Sequence, residues 1–379
     1  MCGDWIRFDR NELAGAFGDI GTDLPLVIGV ILIAKLDSAS ALILFGAMQI
    51  FTGLAYGLPM PVQPLKAMAA LVMAQKLSGN VLFGGGLAIG VTMFLLTVTG
   101  LIVWLARVVP KTVVRGIQFG LGLQLALLAL NKDFVGADGV TGYVLAGVAF
   151  VIVIALMGNR RFPAALFVIA LGVAYAFAFK VHPSVLWRGA GLSLPKWHLV
   201  TWPDIVTGFL VLTIPQLPLS LGNSILATRQ VAEDFFPDRR LTIRRISFTY
   251  SLMNLVNPWF GGIPTCHGSG GMAGHYTFGA RTGGSVIIYG SLFLVMGLFF
   301  GRTFGEFIQV FPRPILGVIL AFEGLAMLLL VRDLASSKRD LFIAALVGLM
   351  CNGLPYGYAV GLIVGTGLAY LWKENSDHP

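Results

Sequence analysis

The stretch GLPMPVQPLKAMAA, Gly57 to Ala70, puts Pro59, Pro61 and Pro64 into an otherwise apolar run. Each proline lacks an N–H and clashes with the turn before it, so the three cannot share one regular helix. The chain is expected to be extended there, with a helix starting near Pro64 or Leu65. A second stretch, GGIPTCHGSGGMAGHYTFGA from Gly261 to Ala280, has the same character. Its glycines and Pro264 forbid a regular start, and a helix is expected from about Ser269.

The surroundings decide what these interruptions mean. The chain has 379 residues, 56% of them hydrophobic and 12% charged, with a mean hydropathy of +0.83. Soluble domains carry about 25% charged residues, so this surface suits lipid rather than water. Fourteen apolar segments are read at 13–34, 39–58, 65–77, 81–106, 112–130, 140–158, 162–180, 203–227, 244–258, 267–278, 284–302, 312–331, 340–352 and 354–372. Those at 65–77 and 267–278 are too short to cross about 30 Å of hydrocarbon alone. The expected class is an all-α integral membrane protein. The 48 glycines suit close helix packing in lipid. The polar start MCGDWIRFDRNE is not a cleaved signal, and the run from Leu13 is expected to serve for insertion. Cys2, Cys266 and Cys351 are scattered, which suggests neither a disulfide framework nor a zinc site.

The net charge of +8 is better explained by the positive-inside rule than by nucleic acid. With the N-terminus inside, the inner loops collect Arg107, Lys111, Arg115, Arg160, Arg161 and the arginines between Arg229 and Arg245. The outer loops hold fewer cations, among them Lys35, Lys76, Lys132 and Lys180. Both termini are therefore expected to be cytoplasmic. Arg229 to Arg245 reads as an inner loop, and Val181 to Pro203 as an outer loop joining two halves.

The halves resemble one another. Leu24-Pro25-Leu26 with Gly29 recurs as Leu217-Pro218-Leu219 with Gly222, and Pro110-Lys111 with Gly122 recurs as Pro312-Arg313 with Gly324. LGVAYAF from Leu171 recurs as TGLAYLW from Thr366. The matches keep their order at similar offsets. Seven segments per half is an odd number, so the repeats, 1–195 and 196–379, must be inverted relative to one another. The two interruptions then occupy corresponding places.

Non-helical backbone at membrane depth persists only where it is buried in protein or lines a wet cavity. A half-helix that starts there offers free N–H groups and the positive end of its dipole. Two such ends near the midplane form an anion site with few charges. Gln63, Ser269, Gly270 and Gly271 fall at these ends, and Lys66 adds a positive charge in the first turn. The plainer alternative is that Gly and Pro merely kink packed helices; recurrence in both halves favours a site. In the first span, Asp19 and Asp23 share a helical face beside Thr22. Intramembrane carboxylates are costly and are functional candidates by default. One could pair with Lys66 or exchange a proton; the alternative sets Asp19 at the membrane edge or as a cap within a Gly-rich break. Gln216, Ser220 and Asn223 either contact a ligand or join helices. Glu323 reads as a proton carrier or as the partner of an Arg. His267 adjoins Cys266 but lacks further ligands at metal spacing, and reads as a hydrogen-bond donor. Glu12 is expected at the start of the first span, where it suits the helix dipole.

PMPVQPLKAMAA and PTCHGSGGMAGHYTFGAR, preceded by ELAGAFGDIGTDLPL, together resemble the signature segments of the molybdate transporter family of plants, algae and prokaryotes, a divergent branch of the SulP sulfate permease superfamily. The resemblance covers nearly the whole chain. Its motifs fall on Pro59 to Ala70 and on Pro264 to Arg281. It implies a seven-plus-seven inverted-repeat fold shared with SulP and nucleobase permeases, a gate domain moving against a core domain, and an anion held between the third and tenth segments. With only a few polar residues after the last span, no C-terminal STAS domain is expected. The implied function is secondary active transport of a tetrahedral oxyanion, molybdate first, with sulfate and tungstate as alternatives. H⁺ or another cation is the expected coupling ion, through Asp19, Asp23 or Glu323. A plasma or inner membrane is the expected location, and a homodimer is left open. No Walker-type G-x-x-x-x-G-K-[ST] occurs to drive transport with ATP. A nucleobase permease is opposed by Lys66, an intramembrane enzyme lacks a catalytic constellation, and an anion channel differs in turnover. No catalytic residue, cofactor or metal is expected.

Overall fold

The computed structural model describes residues 5–131, 135–156, 164–180 and 190–374. Cys2 lies outside them. The first half runs α1 (Arg10–Ala16), α2 (Ile20–Ala34), α3 (Ser38–Tyr56), β1 (Val62–Pro64), α4 (Lys66–Gln75), α5 (Gly79–Val98), α6 (Leu101–Val108), α7 (Lys111–Ala129), α8 (Gly139–Leu156) and α9 (Ala164–Phe179). In the second half, α10 (Trp202–Phe235) is continuous, with π-helical stretches at Phe209–Thr213 and Ser220–Ala227. Then come α11 (Ile243–Val256), β2 (Thr265–His267), α12 (Ser269–Thr277), α13 (Gly284–Val310), α14 (Arg313–Leu329), α15 (Lys338–Gly353) and α16 (Gly357–Glu374).

Local chemistry sets the ends. The Asp37 carboxylate accepts from the Ser40 amide to start α3, and Ser78 does the same for the Val81 amide at α5. Gly57 ends α3 in the left-handed region at φ 62°. Three expected boundaries move. The segment 13–34 is broken between α1 and α2, where a Cβ on Gly18 would come within 2.5 Å of the Gly274 backbone; the chain turns there against α12. The segment 81–106 is divided at Gly100, at φ 75°. The polar loop from Arg229 is shorter than expected, because α10 continues to Phe235. There Ala232 is buried and Phe235 stacks on Tyr276 at 4.2 Å.

Among the described residues, seven helices are long and apolar enough to cross a membrane. Their outward faces are apolar too: on α8, Val140 is 82% and Val151 64% exposed, a surface that belongs against lipid tails. Inside, Tyr56, Tyr250, Tyr289 and Phe45 are fully buried.

The halves interlock through equivalent contacts. α3 lies along α13, and α5 along α11, so segment two meets eleven as segment four meets nine. α7 crosses α14 where Gly122 and Gly324 back onto one another. A Cβ on Gly122 would stand 2.6 Å from the Gly324 carbonyl oxygen, and one on Gly324 2.7 Å from that of Gly122. β1 and β2 pair antiparallel, with Val62 opposite His267, Gln63 opposite Cys266 and Pro64 opposite Thr265. The α3–α13 and α5–α11 contacts are equivalent to one another, while the Gly122–Gly324 crossing and the β1–β2 pair join each element to its own counterpart, as opposed repeats require. Glu12 lies in the first turn of α1, where its charge suits the helix dipole, and it also reaches across the fold. Fully buried, it accepts from the amides of Arg281 and Thr282 at 2.9 Å and of Ser285 at 3.0 Å, and so caps the start of α13.

Candidate functional site

The two short strands carry the half-helices. α4 leaves the pair after Pro64 and α12 after His267, at opposite ends of the antiparallel ladder. Beside them lies a cavity of about 300 Å³. Seven of the residues singled out in the sequence line it: Gln63, Lys66, Gln216, Asn223, His267, Ser269 and Gly270. Ser224 and Cys266 also contribute, and none of the described lining residues is Asp or Glu.

The two helix ends are not alike. At α4, the Gln216 side-chain carbonyl accepts from the amides of Ala67 at 3.0 Å and Met68 at 3.2 Å. Its amide donates to Ser220 Oγ at 3.0 Å, and Ser220 Oγ lies 2.7 Å from Tyr250 OH. Gln216 therefore closes much of the first half-helix end. At α12, Gly270 is exposed, and nothing stands within 4 Å of where its Cβ would be. The second end is open to the cavity. Gly271 does not line it: a side chain there would collide with the Asp19 carboxylate and Pro61.

Gln63 is buried and donates through Nε2 to Asp19 Oδ2 at 2.6 Å. A side chain on Gly268 would run into the Gln63 amide, which is why only hydrogen fits there. Asp19 occupies the N-cap position of α2, in the break between α1 and α2. Asp19 and Asp23 are buried behind the cavity, not among its lining. Lys66 lies at the first position of α4 and borders the cavity. His267 Nε2 lies 2.8 Å from Thr249 Oγ1, and its ring meets Tyr56 edge-on at 5.6 Å. No cluster of three His, Cys, Asp or Glu side chains able to hold a metal occurs among the described residues. The backbone of Thr22 lies in α2 and that of Glu323 in α14; their side chains fall outside those described.

Among the described lining residues, the cation Arg115 was missed. Arg115 reads in the sequence as an inner-loop cation, but α7 begins at Lys111, and one turn later Arg115 reaches the cavity. Its i, i+4 spacing from Lys111, on one helical face, was the available signal.

Two broken segments meeting in a polar cavity, within halves that interlock by equivalent contacts, define a membrane carrier fold of the bicarbonate-transporter and SLC26 kind. The transmembrane domain of a cyanobacterium bicarbonate transporter, BicA, superposes with a TM-score of 0.67 at 15% identity, covering 96% of this chain and 98% of that one. Murine Slc26a9, an anion transporter in its inward-facing state, gives 0.74 at 14% identity over 98% of this chain and 69% of its own. Residues 11–125 and 208–327, which include both interrupted motifs, match the family described as molybdate transporter of MFS superfamily. Molybdate transporter 2 of Arabidopsis thaliana is 34% identical, across 93% of this chain and 86% of that protein. The chain belongs to the molybdate transporter family.

Proposed function

We propose that the chain is a secondary active carrier of tetrahedral oxyanions, with molybdate as first substrate and sulfate and tungstate as rivals of the same geometry. One observation carries this reading: Lys66 and the open end of α12 border a single cavity with no acidic residue among the described residues that line it. A lysine is a strong donor to oxyanions, and a helix end with unpaired amides favours negative charge. The family relationship selects molybdate within that class.

The cavity reaches Arg115 and Leu330, and beside it lies a hollow of about 310 Å³ lined by Lys111, Arg115, Asn223 and Leu226. This is the face richer in basic residues, which the positive-inside rule assigns to the cytoplasm together with both termini. The conformation is accordingly inward-open, and transport proceeds by alternating access of the half-helix unit against the remainder. Proton coupling runs through Asp19. As a carboxylate it accepts from the Gln63 amide. Once protonated it becomes a donor, which favours the opposite orientation of that amide at the cavity wall. Asp23 and Glu323 are the alternative carriers.

Proteoliposomes of purified protein are expected to accumulate labelled molybdate under an inward proton gradient, with excess unlabelled oxyanion blocking uptake. Replacing Lys66 with Gln should cut uptake by roughly tenfold or more, the loss of one charge-assisted contact. Asp19→Asn should leave uptake insensitive to the gradient. No uptake under any cation gradient would sink the carrier reading. A melting temperature raised by uracil and not by molybdate would move the protein to the nucleobase permeases.

A further inference from the structure

Arg115 and Asp333 form a device that the half-helices do not explain. The Arg115 side chain is 17% exposed and borders the same cavity as Lys66, from α7 rather than α4. Its guanidinium is divided. Nη1 donates to Gln118 Oε1 at 2.9 Å, Nη2 is ion-paired with Asp333, and Nε is buried with no hydrogen-bond partner among the described residues. Asp333 also meets Lys111 Nζ at 3.4 Å. It lies in the short 3₁₀ turn Leu330–Leu334 that follows α14, and Leu330 of that turn lines the cavity. The Asp333 side chain is 37% exposed. An ion pair with so accessible a carboxylate is weak, whereas a buried guanidinium N–H without an acceptor is costly.

These facts fit a cation waiting for a better partner. With Arg115 held by Asp333, Lys66 is the lining cation that an entering anion meets first. With Arg115 released, the anion meets both. The planar guanidinium fork also matches two oxygens of a tetrahedral anion better than a point charge does. We propose that Arg115 is the second cationic contact for a doubly charged oxyanion, and that Asp333 is its place-holder, holding the guanidinium while the cavity is empty and yielding it when a dianion enters. Charge selectivity, two against one, is then set by Arg115 rather than by the half-helix ends. The inference rests on the oxyanion reading above.

The test compares molybdate with perrhenate, a singly charged tetrahedral oxyanion of similar size, binding to the purified full chain by calorimetry. Wild type is expected to prefer molybdate. Arg115→Gln should weaken molybdate about tenfold to a hundredfold, the range of one charge-assisted contact, and perrhenate far less, so the preference collapses. Arg115→Lys should restore part of it. Asp333→Asn, with the place-holder's charge removed, should tighten molybdate. Equal weakening of both anions in Arg115→Gln, or an unchanged preference, overturns the role of Arg115. Molybdate affinity unchanged or lowered in Asp333→Asn overturns the place-holder. If wild type binds neither anion, the oxyanion reading fails first and the inference falls with it. Melting temperatures of the anion-free variants separate lost selectivity from lost folding: if Arg115→Gln does not fold, Asp333→Asn decides.

Discussion

Gln216 makes the two half-helix ends unequal. Its carbonyl takes the Ala67 and Met68 amides, groups that a bound anion would otherwise compete for, while at the start of α12 Ser269 and the exposed Gly270 border the cavity. Replacing it with Leu is expected to leave two buried donors unpaired and to lower stability by about 1–3 kcal/mol for each, read as a lower melting temperature. Gln216→Glu keeps the acceptor and should keep the fold. It also sets a carboxylate at the cavity wall, and should weaken oxyanion binding by at least about tenfold. If Leu is as stable as Gln there, the cap has no structural weight. Gln63, Lys66, Ser269 and Gly270 were legible in the sequence because proline and glycine break a helix locally, wherever the chain runs. The Gln216 contact spans 149 positions, and nothing local announces it. Arg115 was misread for a related reason: a cation at a loop and a cation one turn inside a helix look alike until the helix start is known.

The elements hold together through close backbone approach and through caps that reach across the fold. At the α7–α14 crossing, Gly122→Val would force a side chain against the Gly324 carbonyl, 2.6 Å from its Cβ. Overpacking of this kind costs about 1–3 kcal/mol, so a melting temperature equal to wild type would contradict the crossing. On the far side from the cavity mouth, the residues before α10 lie extended over α3 and α13. Gly191 and Ser193 donate to the carbonyls of Phe299 and Leu298, and Lys196 Nζ meets Asp37 Oδ2 at 2.7 Å. Burial pushes the Asp37 carboxyl up, but hydrogen bonds from Lys196 and Ser40 outweigh it and hold the carboxyl below its ordinary value of 3.8. A depressed carboxylate stabilises the fold above its unfolded value and loses that contribution as pH falls through its folded value. Asp37→Asn, which keeps the helix cap, should therefore melt below wild type at pH 7, and the difference should vanish in acid below 3.8. A difference that persists there would assign the effect to packing. At this scale the proline breaks and most segments were readable. The division between α1 and α2 was not, because it depends on Gly18 meeting Gly274 from the other half.

For the whole molecule, the odd number of segments per half predicted inversion, and the contacts agree: α3 with α13, α5 with α11, Gly122 with Gly324, β1 with β2. Opposed halves with a cavity between their broken segments suit a carrier that exposes one site to each side in turn. The central claim is that the anion sits at that cavity, held by Lys66 and the open end of α12. Anomalous scattering at the molybdenum edge, from crystals of the full chain grown with molybdate, tests it most directly. The account predicts one peak within contact distance of Lys66 Nζ and the amides of Ser269 and Gly270. A peak away from Gln63, Lys66, Ser269 and Gly270, with that cavity empty at saturating molybdate, would contradict it.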